Sequence, residues 1–239
     1  KSCIVTHLYG FPNDMDQILN ICKKKKIAII EDLAQSHLAK YKNKLVGNFG
    51  KISTLSFYPS KNLGALGDGG AVITNSNDLY NKCKIFANYG ATNFKDPNHK
   101  TIGINSRMDE IQAAFLLEKL KYLDKEINLR IKLAKKYDSF CDKLKIRRIE
   151  TKKNFKNVYH IYPILIKNRD KIKKMMLKKN ISTQIHYKIP IHRQTAFKYL
   201  NYKKNSLPIT EKLSKHMLSL PFYVGIKESE IKYIFKVLK

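Results

Sequence analysis

The chain has 239 residues and 43% hydrophobic content, enough apolar material for one large domain or two small ones. No apolar run approaches the roughly 18 to 20 residues that cross a bilayer, and residues 1–10 lack the apolar stretch of a secretory signal. The net charge of +28 raises nucleic acid or an anionic membrane as partners, but the lysines are dispersed and no recognition motif for nucleic acid is present. The charge therefore reads as a solvated surface, with no specific nucleic acid and no membrane as partner.

Residues 1–5 enter as a strand that leads into His7-Leu8-Tyr9-Gly10, and helical spacing follows from Met15 to Cys22. Ile27-Ala28-Ile29-Ile30 is a continuous apolar run of the kind a buried parallel strand shows. It ends in Glu31-Asp32-Leu33-Ala34-Gln35. Ligands of open α/β sheets bind beyond the carboxyl ends of strands, where this places Asp32 and Gln35. A cap or turn is the competing role for Asp32. Ile52 to Phe57 and Ala71 to Thr74 are short, rich in β-branched residues, and read as strands. Between them lies Ser56-Phe57-Tyr58-Pro59-Ser60-Lys61-Asn62-Leu63-Gly64, then Gly67-Asp68-Gly69-Gly70. A partly desolvated Lys61 amine on such a turn is able to attack a carbonyl and form a Schiff base; a solvated loop lysine is the plain alternative. The glycine spacing is wrong for a dinucleotide loop, and a strand rather than a helix follows.

Helical periodicity returns at Asp78 to Tyr89, with Ser76 or Asn77 as cap, and at Met108 to Leu120, with Ile111, Phe115 and Leu116 on one face. A long amphipathic helix runs from about Leu123 to Leu144. Val158 to Ile166 reads as a strand, Asp170 to Lys179 as a helix capped near Asn168, with Met175 and Met176 in the core, and Ser182 to Tyr187 as a strand. Ser206 to Met217 and Ser229 to Leu238 close the chain as helices. This order predicts an α/β domain over 1–122, a connecting helix over 123–145 and a small α+β domain over 146–239. Cys3, Cys22, Cys83 and Cys141 form no CxxC pair, which favours reduced thiols in a cytoplasm. His186 and His192 are six residues apart across Pro190 without an acidic neighbour, so no metal is expected there.

Several of these segments, in register, resemble the DegT/DnrJ/EryC1/StrS sugar aminotransferases, which depend on pyridoxal 5'-phosphate. They are His7-Leu8-Tyr9-Gly10, Glu31-Asp32-x-Ala34-Gln35, Ser56-Phe57-x-x-x-Lys61-Asn62, Gly67-Asp68-Gly69-Gly70-Ala71 and Gly103-x-Asn105-Ser106-Arg107-Met108-Asp109-Glu110-x-Gln112-Ala113-Ala114. His160-x-Tyr162, Lys167-Asn168-Arg169-Asp170, His186-Tyr187-x-x-Pro190-x-His192-x-Gln194 and Leu218-Ser219-Leu220-Pro221 extend the resemblance over nearly the whole chain. It implies an α/β fold: part of the large domain of the fold-type I (aspartate aminotransferase-like) enzymes, with a small C-terminal α+β domain.

The resemblance further implies that Lys61 holds the cofactor covalently and shuttles a proton between substrate and cofactor carbons, while Asp32 faces the pyridine nitrogen. Gln35 would pack near the ring and its phenolic oxygen, and Ser56 would bind the phosphate. Asn105 would reach the phosphate in the neighbouring subunit, which makes the expected unit a homodimer with shared active sites. His186, Tyr187 and His192 would lie near the substrate mouth and bind a sugar hydroxyl or diphosphate. The implied activity is transfer of an amino group from a donor such as glutamate to a nucleotide-linked keto sugar, in amino-sugar and surface-polysaccharide biosynthesis. Lys61 stands where the family's dehydratase branch has histidine, which argues for amino transfer over deoxygenation. Family members carry, ahead of the position matched by Lys1, a glycine, serine or threonine turn that cradles the phosphate and an aromatic residue that stacks on the ring. The chain is accordingly expected to be an N-terminally truncated member, with a non-catalytic remnant or regulatory binding protein of the same fold as the alternative.

Overall fold

The computed structural model describes residues 1–93 and 98–239. They form two compact units, Lys1–Asn128 with Thr151–His160, and Leu129–Glu150 with Ile161–Lys239.

The first unit begins with β1 (Ser2–Thr6), α1 (Met15–Lys24) and β2 (Ala28–Asp32). Two short strands follow, β3 (Lys40–Tyr41) and β4 (Lys44–Leu45), then β5 (Ile52–Ser56) and β6 (Gly70–Ile73). The main sheet has the order β1-β2-β5-β6. β1, β2 and β5 are parallel, and β6 returns antiparallel to β5. Thr6 lies opposite Asp32, and Asp32 opposite Thr54, so the carboxyl ends of three strands share one edge. The run at 27–30 is buried mainly on one side: Ile29 and Glu31 are buried while Ala28, Ile30 and Asp32 are half-exposed. Alternation of the pleat thus sends consecutive Glu31 and Asp32 to opposite faces.

α2 (Asn77–Ala87) is capped as expected, with Ser76 Oγ accepting from the Leu79 amide at 3.3 Å. α3 (Glu110–Leu120) starts two residues later than its periodicity predicts, and only part of its expected face is covered: Leu116 is buried, but Ile111 is 71% exposed. α4 (Leu123–Lys143) runs through the boundary between the units, and β7 (Arg147–Arg148) belongs to the second. The chain then re-enters the first unit, where β8 (Phe155–Lys156) pairs with β3 and Tyr41 packs edge-on to Phe155.

The second unit is built on β9 (Tyr162–Leu165), flanked antiparallel by β7 and by β10 (Met217–Leu220). α5 (Arg169–Lys178), α6 (Pro208–His216) and α7 (Glu228–Leu238) complete it. An aromatic core gathers Tyr137, Phe140, Tyr162 and Phe235, with Phe140 stacked on Phe235 at 4.7 Å. Met176 is fully buried, whereas Met175 is half-buried.

Three elements differ from the sequence reading. The strand expected from Val158 starts only at Tyr162, because Val158 and His160 give their amides to Gly10 and Tyr9 in the first unit. Ser182 to Tyr187 is not a strand: its pairing is confined to Gln184, which exchanges backbone hydrogen bonds with Ser219. The helix expected to reach Met217 stops at His216, since the buried apolar run Met217–Leu220 is drawn into the ladder beside β9. The Asn168 cap exists by position, but its side chain makes no capping hydrogen bond.

Candidate active site

The shared edge of the parallel strands carries two of the expected site residues, Asp32 and Ser56. Asp32 is the last residue of β2; its Oδ1 accepts from the Ala34 amide at 2.9 Å and its Oδ2 from the Thr6 hydroxyl at 3.3 Å. The first contact is the side-chain turn that the plain reading of Asp32 anticipates, yet it leaves Oδ2 held by a single long hydrogen bond at the sheet edge. Ser56 ends β5, and its Oγ accepts from the Tyr58 amide at 3.3 Å.

The loop after Ser56 is tightly pinned. Phe57 donates its amide to Gly69, Ala65 to Phe57 and Lys61 to Tyr58, at 2.7, 2.7 and 2.8 Å. A Cβ at Gly64 would stand 2.3 Å from the Pro59 carbonyl oxygen, so only glycine closes this turn. α3 fastens it from outside: Gln112 Oε1 accepts from the Leu66 amide and Lys119 Nζ donates to the Gly64 carbonyl, both at 2.8 Å. Asn62 Nδ2 donates to the Val158 carbonyl at 3.1 Å. Lys61 is thereby carried on a rigid loop and is half-buried, although Tyr58, Pro59 and Ser60 before it are exposed.

Burial pulls the Lys61 ammonium below the usual lysine value, and the Asp32 carboxylate partly opposes that. The result is an amine easier to deprotonate than a surface lysine, with a carboxylate close enough to act on it. Gln35 is buried, and its Oε1 accepts from the Tyr9 amide at 2.6 Å, holding Tyr9 in a left-handed conformation at φ 62°. Asn105 is exposed and bridges to Asn88. Among the described residues it makes no hydrogen bond to Lys61, Asp32, Gln35 or Ser56.

Two residues here escaped the sequence reading. Glu31, fully buried, accepts from the Gly47 amide at 2.7 Å and His7 Nε2 at 3.1 Å through one oxygen, and from the Phe49 and Gly50 amides at 2.7 and 2.6 Å through the other. The Asn13 amide donates to His7 Nδ1 at 3.0 Å, which places the ring proton on Nε2, facing Glu31. His37, 4% exposed, packs its ring 6.0 Å from that of Phe57. Alternation along β2 was the available signal for Glu31; nothing local marks His37.

The expected substrate residues lie in the second unit. His186 Nδ1 is 2.9 Å from Ser219 Oγ, its ring meets that of Tyr187 edge-on, and Tyr187 is 52% exposed. His192 does have an acidic partner, supplied by the fold rather than by its neighbours in sequence: Nε2 is 3.2 Å from Glu211 Oε1. Glu211 Oε2 also accepts from the Asn205 amide at 3.2 Å, which ties the 191–205 segment to α6. Among the described residues, no helix is long and apolar enough to cross a membrane.

The DegT/DnrJ/EryC1/StrS aminotransferase family profile matches residues 1–239. A pleiotropic regulatory protein of Geobacillus stearothermophilus is 38% identical over 237 residues, covering 98% of this chain and 63% of that protein. UDP-2-acetamido-2-deoxy-3-oxo-D-glucuronate aminotransferase of Pseudomonas aeruginosa is 36% identical, covering 100% of this chain and 65% of its own. The solved structure of S. venezuelae DesV, in complex with a ketimine intermediate, superposes with a TM-score of 0.93 at 33% identity, covering 100% of this chain and 64% of that one. The chain thus spans less than two thirds of the length of these relatives.

Proposed function

Because this chain belongs to the DegT/DnrJ/EryC1/StrS aminotransferase family, we propose that it supplies the reactive lysine and ring-nitrogen carboxylate of a pyridoxal-phosphate-dependent aminotransferase acting on a nucleotide-linked keto sugar. The observation that carries the reading is Lys61, a half-buried amine on a braced loop, under the influence of Asp32 at the carboxyl edge of three parallel strands. The donor set fits the cofactor: an amine for its aldehyde, a carboxylate for a protonated ring nitrogen and a hydroxyl, Ser56, for its phosphate. When bound, pyridoxal phosphate supplies an electron sink for the carbon that loses a proton.

The chain's own residues do the rest. Lys61, easier to deprotonate than a surface lysine, would hold the cofactor aldehyde and then serve as the base that moves the proton. Asp32, its carboxylate held by the Thr6 hydroxyl and the Ala34 amide, would favour a protonated ring nitrogen in a bound cofactor. Gln35, whose Oε1 accepts from the Tyr9 amide, would pack near the ring and its phenolic oxygen. Asn105 would reach the cofactor phosphate of a second copy, which would make the working unit a homodimer with shared sites. His186, Tyr187 and His192 would contribute to sugar-nucleotide recognition, with glutamate as the amino donor. The product feeds amino-sugar and surface-polysaccharide synthesis in the cytoplasm, in keeping with four free cysteines among the described residues.

Reconstitution with pyridoxal phosphate tests this. The expected result is a visible absorbance band that borohydride reduction fixes on the peptide containing Lys61. Labelling of other lysines with none at Lys61 overturns the assignment, and absence of any binding favours the non-catalytic reading.

A further inference from the structure

β10 carries a single polar side chain in an otherwise apolar, buried strand. Met217, Leu218 and Leu220 are buried, and Ser219 between them is 4% exposed. Ser219 stands opposite Pro163 of β9. Its amide and carbonyl turn the other way, to the carbonyl and amide of Gln184, which they meet at 2.8 and 3.1 Å. That double exchange is the closely bonded pair of an antiparallel ladder, and it fixes the backbone two residues before His186. Ser219 Oγ lies 2.9 Å from His186 Nδ1 and, among the described residues, has no other hydrogen-bond partner. The direction of this bond follows from the hydroxyl. It has one proton and two lone pairs, and a buried proton without an acceptor is costlier than an unused lone pair. Ser219 therefore donates, Nδ1 accepts, and the neutral ring carries its own proton on Nε2.

We propose that Ser219 is a positioning residue for sugar-nucleotide recognition: its buried hydroxyl holds His186 as the Nε2–H tautomer, so that Nε2 offers a donor to an acceptor oxygen of the substrate. That oxygen belongs to the diphosphate or to the sugar. An imidazole without such an anchor exchanges tautomers and turns about its ring bond, so the same nitrogen is a donor in one state and an acceptor in the other. Only the donor state suits a phosphate oxygen, which has no proton to give. The anchor itself is rigid, because Ser219 sits inside a paired strand while His186 lies on the half-buried turn that leaves Gln184. The ring is steadied further by Tyr187, which meets it edge-on with centroids 5.5 Å apart. Ser219 needs no contact with the substrate; it acts through the imidazole. The inference rests on the reading that places His186 at the substrate mouth.

The test needs neither cofactor nor turnover, so its failure is distinct from a failure of borohydride to label Lys61. Nitrogen-15 spectra of the histidine rings in the wild-type chain at neutral pH should show His186 with Nε2 protonated and Nδ1 bare. Two pairs of probes are then added, UDP and dTDP, and UDP-N-acetylglucosamine and dTDP-glucose. A diphosphate acceptor moves the Nε2–H resonance with either pair, whereas a sugar acceptor moves it only with the second. Calorimetric titration of whichever probe binds should show Ser219→Ala weakening it about tenfold, the scale of one hydrogen bond to a ligand. Ser219→Cys separates positioning from packing. The thiol fills the same space but is a weak donor, so its affinity should fall close to that of the alanine variant. The wild-type spectra decide the matter even if neither variant folds. A proton on Nδ1, an Nε2–H resonance that none of the four probes moves, or wild-type affinity in Ser219→Cys overturns the proposal.

Discussion

Glu31→Gln is the sharpest probe of how the sheet edge is held. The variant preserves shape and removes charge, but glutamine offers one carbonyl oxygen and one amide nitrogen where glutamate offered two acceptors. In one orientation its amide faces the Phe49 and Gly50 amides; in the other it faces the Gly47 amide and His7 Nε2. Moving the His7 proton to Nδ1 only transfers the mismatch to the Asn13 amide. Two buried donors are left opposed in either case. At ~1–3 kcal/mol for each unpaired buried donor, the cost is about 4 kcal/mol, and at ~2–4 °C per kcal/mol for a chain of this size the melting temperature should fall by about 8–16 °C. Calorimetry at pH 7 reads this directly. Burial alone would raise the Glu31 pKa, but His7 and the three amides outweigh it and the carboxyl ends below its ordinary value of 4.5. A depressed carboxyl contributes its stability in full above the unfolded value and loses it as pH falls through the folded one. The gap between wild type and variant should therefore be widest near neutrality and shrink below about pH 4.5. A drop under about 3 °C, or a gap constant down to pH 3, would refute the four-donor cage as a stabilising feature.

Other outcomes follow from the same geometry. In the protein with its cofactor attached, Asp32→Asn should retain attachment at Lys61 yet lose amino transfer by at least ~10²-fold in single-turnover measurements, the scale of a lost transition-state charge contact. Since Asp32 opposes the effect of burial on Lys61, the same variant should move Lys61 acetylation to lower pH, and a shift to higher pH would contradict the placement. Gly64→Ala, which puts a methyl against the Pro59 carbonyl, should abolish specific cofactor attachment even where circular dichroism shows the chain folded. Glu211→Ala should raise the rate of limited proteolysis within 191–205, because it removes the ties to His192 and Asn205. In alkaline titration, Tyr162, which donates to Asp138 at 2.6 Å, and the buried Tyr137 should still be protonated near pH 11; burial raises both, and their absorbance change should lag behind that of the exposed tyrosines.

The elements that the sequence exposed were those governed by local chemistry. Ser76 announced the start of α2, the β-branched run at 52–56 became β5, and the glycines around Lys61 marked a turn that only glycine closes. What stayed hidden depends on partners distant in the chain. Met217–Leu220 looks like the tail of a helix until β9 is there to pair with it, and residues 158–160 look like the start of a strand until Tyr9 and Gly10 claim their amides. The candidate site divides in the same way. Lys61, Asp32 and Ser56 stand out because strand ends and glycine turns are legible in a linear text, and the family resemblance assigned their tasks. Glu31 and His37 could not be found so, because their meaning lies in burial: a glutamate beside an aspartate reads as surface charge until the pleat turns it inward.

The return of Thr151–His160 to the first unit has a consequence for how the chain is made. Gly10 and Tyr9 wait for amides about 150 residues downstream, Asn62 waits for Val158, and β3 waits for Phe155. During synthesis the parallel strands and the lysine loop emerge early, but the strap that locks the loop's base arrives only once most of α4 and β7 have left the ribosome. A nascent chain stalled before residue 150 would carry Lys61 on an unfastened loop, present in sequence well before it is fixed in space. Closure across so long a separation is entropically slow, so the loop that carries Lys61 is fastened late in folding.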